Sequence, residues 1–198
     1  MFPGSRRAKS WLCLCLLVAV ALPLWGQQPD PERRPLGATP SSAERIAREV
    51  RHELLLLSHY TLFDFLAFQV EGNKVTLLGY AVEPILKSDA EDAVKGVEGV
   101  EAVDNQIEVL PPSSMDDRLR RAVYRAIYGF GGLSRYALGA SPSIHIIVKN
   151  GNLILEGSVD SSLDRNLAGL RANTVSGIFS ITNNLVVPDS PAGGEAKQ

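Results

Sequence analysis

The chain has 198 residues, 45% of them hydrophobic and 21% charged, with a formal net charge of −2. These proportions belong to ordinary soluble globular chains and exclude the disordered, fibrous and multi-spanning membrane classes. The only two cysteines, Cys13 and Cys15, lie within the first 16 residues, so the remainder carries no disulfide framework, thiolate nucleophile or cysteine-based zinc site.

Arg6, Arg7 and Lys9 precede an uninterrupted apolar run from Trp11 to Trp25, with no acidic residue before Asp30. That is the order of a secretory signal peptide, assigned to residues 1–26. Fifteen helical residues reach about 22 Å, short of a hydrocarbon core of about 30 Å, which argues against a permanent span. Neither cysteine follows the small residues of a lipoprotein attachment site. Residues 27–42 contain Pro29, Pro31, Pro35 and Pro40 among polar residues and read as an extended linker, and residues 188–198 as a similar tail.

Between these ends the elements follow in order. From Ala43 to Ser58, Ile46, Val50, Leu54 and Leu57 recur at helical spacing, with charged residues on the other faces. Phe65 to Val70, a Gly72-Asn73 turn and Lys74 to Gly79 predict a β-hairpin. Pro84 suits the first turn of a helix with the apolar ridge Leu86, Ala90, Val94 and Val97, and Val103 to Val109 predicts a closing strand. The short connector through Pro111 and Pro112 is stiff. A second helix-hairpin-helix-strand series follows: a helix from Asp116 to Tyr128 with Leu119, Val123 and Ile127 inward, and a hairpin from Ile144 to Gly157 turning at Asn150-Gly151. It closes with a helix from Leu163 to Val175 with Leu167 and Leu170 inward, and a strand from Ile181 to Val187.

The two series are one unit used twice. Val70 to Leu110 superimposes on Val148 to Pro188 without a gap at a constant offset of 78 residues, pairing Gly79 with Gly157, Ala90 with Ala168, Gly99 with Gly177 and Asn105 with Asn183. The expected fold is α+β: two αββαβ modules over 43–110 and 116–187, joined by 111–115. Each is a small three-stranded sheet with two helices packed on one face. Gly79 and Gly157 end strands while Gly99 and Gly177 precede them, which assigns all four a structural role.

The strand ending in glycine (Val75-Thr76-Leu77-Leu78-Gly79 and Leu153-Ile154-Leu155-Glu156-Gly157), followed by a helix, then Gly99-Val100 or Gly177-Ile178 and a strand reaching Asn105 or Asn183, resembles the BON family of bacterial osmotically induced and nodulation proteins. The resemblance implies a non-catalytic protein of the periplasm or cell envelope, associated with phospholipid or envelope-surface binding and with osmotic-stress protection. The second module departs from the pattern by a longer loop between its first helix and its hairpin.

The chemistry-bearing residues agree with a binding protein. His52, His59 and His145 show no paired metal-ligand spacing, no Gly-x-Ser-x-Gly elbow occurs, and Gly129-Phe130-Gly131-Gly132 follows a helix and lacks the dinucleotide fingerprint. The expectation is therefore no enzyme, no metal, no cofactor and no small-molecule substrate. Charge divides unevenly: residues 43–110 hold 6 Lys and Arg against 13 Asp and Glu, whereas residues 113–187 hold 8 against 5. On the second module's first helix Arg118, Arg121 and Arg125 stack on one face with Arg120 beside them. The loop beyond carries Tyr128, Phe130 and Tyr136 among glycines. Two arrangements follow. Either the arginines with Tyr128, Phe130 and Tyr136 meet an anionic phospholipid surface, or the aromatic side chains fold back as a lid and the arginines are simply solvated. The competing partner is an envelope protein or cell-wall polymer. Nucleic acid does not suit an exported chain with an acidic half.

Overall fold

A computed structural model describes residues 41–138 and 142–188. The expected signal segment, most of the linker and nearly all of the tail lie outside the described residues.

The first module begins with α1 (Ser42–Leu55), whose start is sealed by a capping box: Ser41 Oγ accepts from Glu44 N–H and the Glu44 carboxylate accepts from Ser41 N–H. Strands β1 (Phe65–Glu71) and β2 (Lys74–Ala81) pair antiparallel, with Glu71 opposite Lys74 across the Gly72-Asn73 turn. Helix α2 (Pro84–Lys95) starts on its proline and carries the chain back to β3 (Ala102–Asn105) and β4 (Glu108–Val109), both parallel to β2. The helices cover one face of the sheet. Ile46, Val50 and Leu54 of α1 and Leu86, Ala90 and Val94 of α2 are buried with Val75 and Leu77 of β2, each large side chain worth about 1.5–3 kcal/mol on full burial.

The second module repeats the plan with α3 (Ser114–Tyr128), β5 (Ile144–Lys149), β6 (Asn152–Gly157), α4 (Ser162–Ala172) and β7 (Ser180–Asn183). β5 and β6 turn at Asn150 (φ 49°) and Gly151 (φ 75°), the two left-handed residues that a tight hairpin needs. β7 lies parallel to β6, and a further bridge joins Ser158 to Val186.

The repeat extends to atoms. The single strand expected at the end of each module is broken after its asparagine. Asn105 and Asn183 each turn a side-chain oxygen onto the N–H two residues on, and donate their amide to a carbonyl of the preceding helix, Lys87 or Arg165. Gly79 and Gly157 have φ of +121° and +114°. A Cβ there would lie 1.9 Å from the Phe65 carbonyl oxygen and 2.0 Å from that of Ser143, so no other residue fits.

One inward assignment fails. Leu170 of α4 is 65% exposed, while Ala168 and Ala172 are fully buried and Leu167 is half-buried. α4 keeps the rotation of α2: Asp164, Ala168 and Ala172 take the buried positions of Leu86, Ala90 and Val94, and the Asp164 carboxylate is tied there to Ser161, Tyr136 and Arg135.

The modules also touch. Leu62 and Phe63, in the loop between α1 and β1, pack against the second core, and Ile146 N–H of β5 donates to the Leu62 carbonyl. β5 is buried on both faces: Ile144, Ile146 and Val148 enter the core, while His145 and Ile147 on the other face are buried as well. Lys149 pairs with Glu108 across the same boundary.

Candidate functional site

Helix α3 is anchored on its inner side by three polar groups. Ser113 caps it. The Asp116 carboxylate, 1% exposed, accepts from the N–H groups of Asn150 and Gly151 at 2.9 Å each. Arg120, 3% exposed, donates to Asp117 and, at 2.7 Å, to the Val148 carbonyl. Arg120 is thus removed from the surface stripe it flanks in sequence. Its guanidinium is spent on the β5 backbone.

This anchoring turns Arg118, Arg121 and Arg125 outward. At about 100° per residue their positions fall within an arc of about 60°, and all three side chains are exposed. Arg118 reaches the Met115 sulfur at 3.6 Å, and none of the three forms an ion pair among the described residues. Arg121 and Arg125, with the half-exposed Tyr124 between them, border a shallow groove of about 440 Å³ floored by Leu62 and Phe63. Cationic groups beside an apolar floor match a ligand that is anionic at one end and apolar at the other.

The loop beyond α3 takes the lid arrangement. The Tyr128 hydroxyl donates to the Ile144 carbonyl at 2.6 Å, and burial pushes its pKa up. Leu133 is fully buried, and residues Ser134–Ala137 form a single 3₁₀ turn that seats Tyr136 in the core. The Tyr136 hydroxyl donates to Asp164 at 3.0 Å and accepts from Asp160 N–H, and burial raises its pKa too. The Ser161 hydroxyl, followed by Tyr136 and Arg135, holds the Asp164 carboxyl below its ordinary value. An exposed role for Tyr128 and Tyr136 is therefore corrected: their rings complete the hydrophobic core and their hydroxyls satisfy buried partners. Phe130 remains at the surface, 37% exposed, under the Arg171 guanidinium at 5.1 Å. Sequence reasoning missed Leu62, Phe63 and Tyr124. Tyr124 shares the outer side of α3 with Arg121, but nothing local tells that a first-module loop lies beside it.

The histidines are dispersed. His52 is exposed, and His59 lies 3.4 Å from Asp89. His145 is 6% exposed, stacked on Tyr60 and tilted against Phe65, with Nε2 3.4 Å from the Tyr60 hydroxyl and Nδ1 unpartnered. Burial pushes the His145 pKa down and that of Tyr60 up to about 12. Among the described residues no group of three His, Cys, Asp or Glu side chains is placed to hold a metal, and no helix is long and apolar enough to cross a membrane.

The first module carries a groove of a different character. Between α1 and α2 a groove of about 580 Å³ is lined by Glu49, Glu53, Asp92 and Glu98 with Arg45 at its edge.

The family model for the BON domain matches residues 42–111 and 133–189, which leaves α3 outside both segments. No curated protein matches the chain. Among solved structures, the chain is similar to CdsD, a structural protein of the type III secretion system of Chlamydia trachomatis, at 12% identity and a TM-score of 0.28, over 72% of this chain and 91% of that one. The C-terminal domain of CdsD gives 12% identity and a TM-score of 0.25 over 71% and 96%.

Proposed function

The chain belongs to the BON domain family, with two copies of the domain, and from that premise we propose that it is an exported, non-enzymatic protein of the cell envelope that binds anionic phospholipid surfaces. BON domains are binding modules associated with membranes, phospholipid and the envelope. The observation that carries the reading is the outer face of α3, where Arg118, Arg121 and Arg125 stand exposed and without acidic partners among the described residues, next to Phe130 and the Leu62-Phe63 groove. Each arginine near an anionic membrane contributes on the order of 1 kcal/mol. Three together are worth on the order of a hundredfold in affinity. The physiological role that follows is envelope maintenance or protection against osmotic stress.

Flotation with phosphatidylglycerol vesicles tests this. The parent chain co-floats at low salt, and reversal of all three residues (Arg118→Glu, Arg121→Glu, Arg125→Glu) abolishes co-flotation. A parent that stays at the bottom of the gradient, or a reversal variant that floats as well as the parent, sinks the reading.

A second reading, binding of an envelope protein or cell-wall polymer, is favoured by the first module. Its groove lined with Glu49, Glu53, Asp92 and Glu98 is repelled by an anionic surface and is left for another partner. Pull-down from envelope extract that enriches one protein or glycan without lipid supports it.

A further inference from the structure

We infer that α4 of the second module is a membrane-inserting face, its outer leucines entering the acyl boundary while the arginines of α3 sit on the headgroups. The inference rests on the anionic-lipid function proposed above and adds to it the element that gives hydrophobic hold. Leu163, Leu167 and Leu170 occupy positions i, i+4 and i+7, within about 60° of arc at 100° per residue. Leu163 is 74% and Leu170 65% exposed. An amphipathic helix normally turns such a stripe inward, yet α4 buries Ala168 and Ala172 instead, packs Leu167 half-buried against the core and presents Leu163 and Leu170 outside.

The stripe is continuous with the arginine face. Arg171 donates from Nε to the Ala126 carbonyl of α3 at 3.0 Å and lies over the Phe130 ring. Gly132 sits between Phe130 and Leu167, which would stand 3.0 and 3.7 Å from a side chain there. The outer surface of the helix layer thus runs from Arg118 and Arg125 across Phe130 to Leu167 and Leu170.

The first module has the same positions with a different character. At the offset of 78 residues, Leu163, Leu167 and Leu170 correspond to Ile85, Asp89 and Asp92. The exposed leucines are therefore not demanded by the fold, since the same helix in the same chain is built with two carboxylates there.

Charge selects the occupant. The charged residues of α4 outside the core are basic, Arg165 and Arg171, while its one acidic residue, Asp164, is buried against Arg135 and Tyr136, and Asp160 just before the helix is paired with Arg135. A second copy meeting this face about a two-fold axis would set like charges against one another. A broad anionic surface with an apolar interior satisfies both the leucines and the arginines.

The test compares the parent with Leu163→Asn/Leu170→Asn in two assays. Insertion is read as the rise in surface pressure of a phosphatidylglycerol monolayer. Retention is read by vesicle flotation in about 1 M salt, where the Debye length is about 3 Å and headgroup attraction is screened. The parent raises the pressure and keeps part of its binding in salt. The double variant loses the pressure rise and at least tenfold of the salt-resistant binding, with a several-fold smaller loss at low salt. Both side chains are mostly exposed, so its melting temperature stays near that of the parent, and Leu163→Asn alone serves as a milder variant. A double variant that inserts as well as the parent overturns the inference and leaves the arginine function standing. So does a parent that binds only at low salt. A parent dimer that Leu170→Asn dissociates reassigns the stripe to self-association and also overturns it. A parent that binds no vesicle at any salt removes the proposed function itself.

Discussion

The two modules share a skeleton and differ at one surface. Ile46 lies against Gly99 as Leu119 lies against Gly177, which sets α1 and α3 in register at an offset of 73 residues. In that register the groove between the helices carries Glu49, Glu53, Asp92 and Glu98 in the first module, and Ala122, Ala126, Leu170 and Ser176 in the second. Most buried positions stay apolar or glycine in both. A duplicated unit keeps what its backbone and core require and is free to change what faces water. The change here replaces the carboxylates of that cleft with apolar and small side chains, while Arg118, Arg121 and Arg125 match Arg45, Arg48 and His52 at the same offset. The helix that carries the arginines, α3, is also the element outside the matched family segments.

The sharpest way to break this comparison acts on the shared skeleton. Gly157→Ala places a methyl group 2.0 Å from the Ser143 carbonyl at a φ of +114°. It costs roughly 4 kcal/mol or more, combining backbone strain with steric displacement, and Gly79→Ala costs about the same. Chemical denaturation measures both. If one substitution is harmless while the other unfolds its module, the equivalence of the skeletons is wrong.

A second prediction concerns a position where the modules diverge inside. Asp164 corresponds to Leu86, which is fully buried. In the second module the carboxylate replaces that leucine and pins the 3₁₀ lid through Tyr136 and Arg135. Asp164→Ala leaves the buried Tyr136 hydroxyl short of an acceptor and destabilises by about 2 kcal/mol. Faster amide exchange confined to residues 133–138 is expected with it. Leu86→Ala instead leaves a cavity, costing about 2–5 kcal/mol with no local loop opening.

The smallest effect lies at the contact between modules. Burial depresses the His145 pKa below the ordinary 6.5, and the groups around it are Tyr60, Phe65 and Asp64. The unfolded chain therefore takes up a proton near pH 6.5 that the folded chain refuses. Stability is unaffected by this group above that pH. It declines as the pH falls below, by at most about 1.4 kcal/mol per pH unit until the folded-state pKa is reached. His145→Phe keeps the stacking on Tyr60 and removes this slope, measured by melting temperature across mildly acidic buffers. An unchanged slope would exclude His145 as its source.

Most of the skeleton was legible because it rests on local signals. Ser41 with Glu44, Pro84, Asn150-Gly151 and the paired glycines each act within a few residues, and the offset of 78 cross-checks one module against the other. The site was only half legible. Arg118, Arg121 and Arg125 follow from spacing alone. Tyr128 and Tyr136 could be read as surface aromatics because a glycine-rich loop does not declare which way it folds, and their burial depends on the Ile144 carbonyl and the Asp164 carboxylate elsewhere in the chain.

The sequence alone determined the number of modules, their element order and the division of charge between them, since periodicity, capping and turn residues are properties of short segments. Tertiary structure decided what each face meets. Leu170 counts as a core residue by periodicity, yet α4 packs in the rotation of α2, with Asp164, Ala168 and Ala172 toward the sheet. Arg120 counts as a fourth surface arginine until the Val148 carbonyl accepts its guanidinium. Side chains that differ little in local preference are sorted by partners from distant segments, and those partners exist only once the chain has folded.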